Sequence, residues 1–240
     1  MNFKAKHSRV LFTALVISIL YISNGFATHL VGGNIGYIYQ GPAPGNPTSS
    51  LYIIYFQGYL DCNSPSWGTA FPETSIEVGV YEGGLTTSNL TYVTTIDLNL
   101  TDSNEVVPQV PPNCNFNTNT CFYLVQYSTT LTIPNSSNGF HVIYDRCCRP
   151  GGLTNLNNSG DQALTYMTHV PSQAGTIITN STPIFTDTLL SYLCVTDSSV
   201  ITNAVVDPDG DSLSFALVHP FDGETAPGNP VANYAGINPY

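Results

Sequence analysis

Three short stretches of the 240-residue sequence gather side chains that can do chemistry: "DPDGDSL" at 207–213, "YDRCCRP" at 144–150, and "NSPSWGTAFP" at 63–72. The first places Asp207, Asp209 and Asp211 at alternate positions around a Pro-Asp-Gly turn. Carboxylates packed this closely repel one another unless a cation or a set of N–H donors offsets them, and hard oxygen ligands suit Ca²⁺. The loop is not of the EF-hand type. That motif requires Gly at its sixth position and Glu at its twelfth, and counting from Asp207 these are Ser212 and Val218. The sequence therefore leaves two readings, a Ca²⁺ site or an Asx-capped turn between "ITNAVV" and "SLSFALV".

The second stretch sets Cys147 and Cys148 between Arg146 and Arg149. A free thiolate in such a positive field would be reactive. With Cys62, Cys114, Cys121 and Cys194 they form an even set of six, which in an exported chain reads as disulfides. Zinc fits poorly, since there is no C-x-x-C and no His at ligand spacing from a Cys pair. Six cysteines allow fifteen pairings. We expect Cys114 to close on Cys121 across a short Asn/Thr-rich loop. Neighbouring residues of a strand face opposite sides, so Cys147 and Cys148 should reach different partners, Cys62 and Cys194. The arginines should anchor Asp or Glu side chains.

The third stretch holds the sole tryptophan, Trp67. Together with some of the 15 tyrosines it would form a stacking platform for a sugar, or else part of the core. Catalytic patterns are sparse. His29, His141, His169 and His219 are scattered, and neither G-x-S-x-G nor H-E-x-x-H occurs. His141 and His169 fall in alternating segments and read as packed or surface side chains. Asn89, Asn99, Asn135, Asn157 and Asn180 open N-x-S/T sequons, a pattern that a Thr/Ser/Asn-rich chain also produces by chance.

The compartment follows from the N-terminus. Lys4, Lys6 and Arg9 precede an apolar run from Val10 to Ile22, and Gly25-Phe26-Ala27 supplies small residues for cleavage, as in a secretory signal peptide over 1–27. Its removal leaves Arg146 and Arg149 against 16 acidic residues, a formal net charge of −14. Such a surface repels nucleic acid, whose binding needs Lys and Arg to displace counterions, and it repels anionic lipid. No membrane insertion is expected after signal removal. The chain should be secreted or held at the outer cell surface. With 42% hydrophobic and only 9% charged residues it has ample material for a core.

These residues must be held by strands. Segments 30–39, 51–60, 75–84, 91–100, 121–133, 140–148 and 163–170 are β-branched, aromatic or alternating, and turn residues separate them. "GPAPGNP" (41–47) reads as a connector and "NSSNG" (135–139) as a hairpin turn. No amphipathic helix follows the leader. The pattern predicts an all-β fold: an antiparallel β-sandwich over 28–182, braced by disulfides, then the start of an Ig/cadherin/PKD-like β-domain over 183–240 that is incomplete. Either the chain is the N-terminal piece of a longer polypeptide, or its second domain lacks strands in this stretch.

"THLVGGNIGYIY", "YFQGYLDCN", "GFHVIYDRCCRP", "TYMTHVPS", "NSTPIF" and "DPDGDSLSFALVHPF", in this order, resemble the N-terminal module of large Bacteroidetes surface proteins. Those proteins carry PKD- or cadherin-like repeats and a gliding-motility-associated, type 9 secretion (type B) sorting domain. The resemblance implies export and display, with adhesion or motility as the associated role, and it implies no catalytic residues. Residues and resemblance together lead to the expectation of a non-enzymatic, adhesin-like binding or structural module whose partner is an extracellular protein or polysaccharide. The alternative is a carbohydrate-binding accessory module of a polysaccharide-degrading protein, with Trp67 at its ligand site.

Overall fold

The computed structural model describes residues 30–64, 67–85, 90–107, 120–147, 149–173, 179–186, 204–218, 220–222 and 235–236. The fold is all-β. Seven strands form one antiparallel sheet: β1 (Leu30–Ala43), β2 (Asn46–Asp61), β3 (Ser75–Glu82), β4 (Thr91–Val106), β5 (Phe122–Pro134), β6 (Phe140–Arg146) and β7 (Leu164–Val170). Four two-residue strands follow: β8 (Ile184–Phe185), β9 (Val205–Val206), β10 (Phe221–Asp222) and β11 (Ala235–Gly236). The sheet order is β1-β2-β5-β4-β3-β6-β7. Its two end strands, β1 and β7, touch, so the sheet folds over on itself around one interior, as a sandwich- or barrel-like all-β fold does.

Alternation along each strand decides what faces inward. On β2, Tyr52, Ile54, Phe56 and Leu60 are buried in the core, while Ile53, Tyr55 and Gln57 look outward. Ile76, Val78 and Val80 of β3 join the same core, with Leu98, Val125, Tyr127, Val142 and Tyr144. Each fully buried aliphatic side chain contributes on the order of 1.5–3 kcal/mol relative to an exposed one. At β6 the alternation fails, because Phe140 to Tyr144 are all buried. The reason is a second apolar cluster of Tyr81, Leu90 and Ile143, packed with Tyr92, Met167 and Phe221. Phe221 belongs to β10, so a distant part of the chain returns to cover this face of the sheet.

Two connections differ from the sequence expectation. "GPAPGNP" is largely strand: β1 and β2 run on to Ala43 opposite Asn46, and Gly45 (φ +74°) makes the tight turn. "NSSNG" is not a hairpin turn. It links β5 to β6, which are separated in the sheet by β4 and β3. Local turn chemistry signals a reversal but cannot say which strand the chain pairs with next.

The segment after β7 covers strand β1. The Thr182 N–H donates to the Tyr37 carbonyl (2.9 Å), the Tyr37 N–H donates to Thr182 Oγ1 (2.8 Å), and the Tyr39 N–H donates to Ser181 Oγ (3.2 Å). Gly36 makes room for this. A Cβ there would collide with Thr182 Oγ1 and the Tyr55 hydroxyl. Two sequon asparagines are engaged internally: Asn180 Nδ2 donates to the Tyr37 hydroxyl (2.9 Å), and Asn135 Oδ1 accepts from Ser50 Oγ (2.8 Å). Asn89 lies outside the described residues, as does the expected leader 1–27.

His141 and His169 face each other across β6 and β7, with ring centroids 4.6 Å apart. His141 is fully buried, and its Nε2–H donates to the Gly84 carbonyl (2.5 Å). They are packed side chains, as their alternation suggested. Burial, reinforced by the neighbouring His141 ring, lowers the pKa of His169, against the opposing effect of hydrogen bonds with the backbone of Gly83 and Asn138. The unfolded chain therefore takes up this proton first as pH falls. The associated stability is complete above the ordinary histidine pKa of about 6.5 and is lost as pH drops from there through the lower folded value. Melting temperatures measured from pH 7.5 down to pH 5 should fall less steeply for His169→Gln than for the parent. Parallel curves would refute this role.

Candidate functional site

The loop 62–74 carries the chain from β2 to β3 across one end of the curled sheet, past the intervening β5 and β4. Two of the three chemically suggestive stretches meet here. At its base β2 and β5 are in register to their ends, with Asp61 opposite Phe122. The next pair outward is Cys62 and Cys121, which form a disulfide with Cα atoms 5.3 Å apart. The Cys62 N–H also donates to the Cys121 carbonyl (3.1 Å).

This pairing corrects two expectations. Cys121 does not close on Cys114, and Cys62 is not the partner of the Cys147-Cys148 block. A short intervening loop favours closure entropically, but the β2–β5 ladder had already placed two thiols opposite each other. Cys147 is also disulfide-bonded, and no described cysteine is free. Cys114, Cys148 and Cys194 lie outside the described residues.

Past the disulfide, the Asn63 N–H donates to Asp61 Oδ1 (2.9 Å) and the Trp67 N–H to the Ser64 carbonyl (3.0 Å). Gly68, at φ +76°, turns the chain so that its N–H reaches the Phe71 carbonyl (2.8 Å). Trp67 is half-buried. Its ring lies 4.5 Å from that of Tyr123 on β5, and it packs on the core. Gly68, Thr69 and Ala70 form an exposed tip. Beside them lies an open hollow of about 390 Å³ lined by residues 68–75.

The far end of the loop is held by Arg146 of the CC block. Its Nη1 donates to both Glu73 oxygens (2.8 and 2.7 Å) and to the Tyr144 hydroxyl (3.3 Å). The guanidinium stands 4.8 Å from the centre of the Phe71 ring. The Tyr127 hydroxyl donates to the Glu73 carbonyl (3.1 Å). Tyr144 and Tyr127 continue inward to Phe56, whose ring lies edge-on to Tyr144 (4.8 Å) and to Tyr166 (5.1 Å). Burial raises the pKa of the Tyr127 and Tyr144 phenols, so both stay neutral hydroxyls through physiological pH. Arg146 therefore anchors an acid, as expected. Glu73 and Tyr123 carried no local signal in the sequence, because each acquires its role only when the loop folds back on the strands.

The acidic stretch lies elsewhere, against the segment that covers β1. Asp207 Oδ1 accepts from the N–H groups of Asp209 (2.9 Å) and Asp211 (3.1 Å), and Gly210 (φ +82°) closes the turn. Asp209 Oδ2 accepts from the Ser181 N–H (2.6 Å). These are the contacts of an Asx-capped turn. Burial, opposed by the Asn180 hydrogen bond and assisted by Tyr52 and the Asp209 and Asp207 carboxylates, raises the Tyr37 pKa to about 12. Among the described residues no group of three or more His, Cys, Asp or Glu side chains is arranged to hold a metal ion. His29 and His219 lie outside the described residues. No described helix is long and apolar enough to cross a membrane.

No family model, no curated protein and no solved structure matches the chain.

The Cys62–Cys121 bridge spans 59 residues of sequence. A loop of that length predicts stabilisation on the order of 4 kcal/mol, chiefly through the unfolded chain. The Cys62→Ser, Cys121→Ser double variant should lose about 2–5 kcal/mol in urea unfolding. A loss below about 0.5 kcal/mol would show that the ladder alone holds the loop base.

Proposed function

We propose that this chain is a non-enzymatic, exported adhesin-like binding module, displayed or released outside the cell, whose recognition element is the loop 62–74. The observation that carries this reading is the double fixation of an exposed loop. A disulfide holds its base and the Arg146–Glu73 pair its far end, while Gly68–Ala70 face solvent. A loop ordered before contact avoids the entropy loss that a floppy one suffers on binding. Disulfides also suit an oxidising, protease-rich exterior. The partner is an extracellular protein or polysaccharide. The acidic balance of the chain disfavours nucleic acid as a partner.

Beads carrying the chain should be retained under flow on at least one of three surfaces: collagen, cellulose or chitin. Thr69→Arg at the exposed tip should lower the Kd-equivalent retention by about tenfold, some 1.4 kcal/mol, with an unchanged melting curve. Undiminished retention would remove the loop from the recognition role.

A second reading, a carbohydrate-binding accessory module, is favoured by the Trp67–Tyr123 aromatic pair, which joins the loop to β5. It requires Trp67→Ala to abolish binding to polysaccharide while leaving binding to collagen intact.

Ca²⁺ is proposed as an additional brace through the carboxylate oxygens of Asp207, Asp209 and Asp211 that are not engaged by the backbone. Calcium at 5 mM should then raise the melting temperature of EDTA-treated protein, and Asp211→Asn should reduce the rise. A melting temperature that calcium does not move would leave the stretch as a capped turn only.

A further inference from the structure

The outer face of the sheet carries a groove that the loop reading does not use. It has a volume of about 250 Å³ and is lined by Ile38, Ile53, Tyr55, Gln57, Thr101, Gln126, Ser128 and Ile184, over a floor at the inward-facing Phe56 and Tyr127 of β2 and β5. Strand register builds it. Gln57 sits directly opposite Gln126 across β2 and β5, and the next outward-facing pair is Tyr55 opposite Ser128. The Gln57 row continues onto β1 at Asn34. The side-chain amides of Asn34, Gln57 and Gln126 make no hydrogen bond among the described residues. The amides of Gln57 and Gln126 thus keep their donors and acceptors open on this face, with Asn34 next in the row.

The walls are apolar and fixed. The Tyr55 ring is drawn over Gly36, where no Cβ fits, and its hydroxyl is tied to Thr182 Oγ1 (3.2 Å). Thr182 is itself locked to Tyr37, so the ring is held as a rigid plate. Ile184 of β8, paired with Val206 of β9, adds an aliphatic wall.

We propose that this groove is a binding site for a neutral oligosaccharide. A pyranose ring presents apolar C–H faces and a periphery of hydroxyls. The groove supplies an aromatic face with aliphatic walls for the first, and for the second paired amides with the Ser128 hydroxyl and the acceptor lone pairs of Thr101 Oγ1, whose proton goes to the Gln126 carbonyl (3.0 Å). Among the described residues no charged side chain lines it, and the strongly acidic chain around it repels uronic acids and sulfated glycans. An extended peptide is the competing occupant, but strand addition needs a free edge, and β1, the nearest edge, is already covered by residues 181–182. The site is independent of the loop 62–74 and of Trp67.

The test is isothermal titration calorimetry on the full chain with hexasaccharides of the β-1,4-gluco, β-1,4-xylo, β-1,4-manno and α-1,4-gluco series. Hexagalacturonic acid and an uncharged Ser/Thr octapeptide serve as the other arms. At least one neutral hexasaccharide should bind, and the acidic one should not. The Gln57→Ala, Gln126→Ala double variant should weaken binding at least tenfold at an unchanged melting temperature. Gln57→Glu, which keeps the side-chain volume, serves as the second variant should the double variant fail to fold, and it should weaken binding similarly. Trp67→Ala should leave the affinity as it was. Failure of every neutral sugar overturns the proposal, as does undiminished affinity in the glutamine variants. Preference for the peptide overturns it too. Loss of sugar binding in Trp67→Ala alone would move the sugar to the loop.

Discussion

The pairing of β2 with β5 is the constraint on which the rest of the structure depends. It runs unbroken from Ser49 opposite Pro134 to Asp61 opposite Phe122 and joins the N-terminal hairpin to the β3–β4–β5 meander. Because side chains alternate, one register sets everything on both faces at once. Inward it brings Phe56 against Tyr127, and outward it places Gln57 beside Gln126 and Tyr55 beside Ser128. At its end it delivers Cys62 to Cys121. A slip of one residue would empty the core face, break the amide row and separate the thiols.

Such a long-range pairing has an entropic penalty that local contacts cannot offset early in folding. The disulfide fixes it in the folded state and shortens the loop that the unfolded chain must close. The Arg146–Glu73 pair makes a different contribution. It is only partly buried, so its Coulomb energy is modest, but the Phe71 ring, the Tyr144 hydroxyl and the paired Glu73 oxygens define one position for the guanidinium. The result is geometric. The loop 62–74 leaves β2 and enters β3 at fixed points, with its tip at Gly68–Ala70 exposed.

The segment after β7 has a comparable effect on the opposite face. Residues 180–182 bond to β1, satisfy its edge, and pull Tyr55 across Gly36. Asp209 fastens the same segment through the Ser181 N–H. The acidic turn thus acts on the groove wall at a distance of two contacts, through Ser181–Thr182 to Tyr55. Phe221, packed against Tyr81, Leu90 and Ile143, adds to the cover on that face of the sheet.

The sequence by itself determined the class of fold and nearly every strand. Alternation in "SIEVGVYE" and "YLVQYSTTLTI" reports which side of a strand avoids water, and this is a local property. It also showed that Arg146, as one of two basic residues outside the expected leader, should find an acid. It did not name Glu73, it mispaired Cys62 and Cys121, and it read 135–139 as a hairpin. Those errors share one cause. Partner choice is decided by which strands become neighbours, and that depends on the energy of the whole closed sheet, not on residues close in sequence. The amide row of Asn34, Gln57 and Gln126 was invisible for the same reason: three polar residues from three strands acquire a meaning only when tertiary structure sets them side by side.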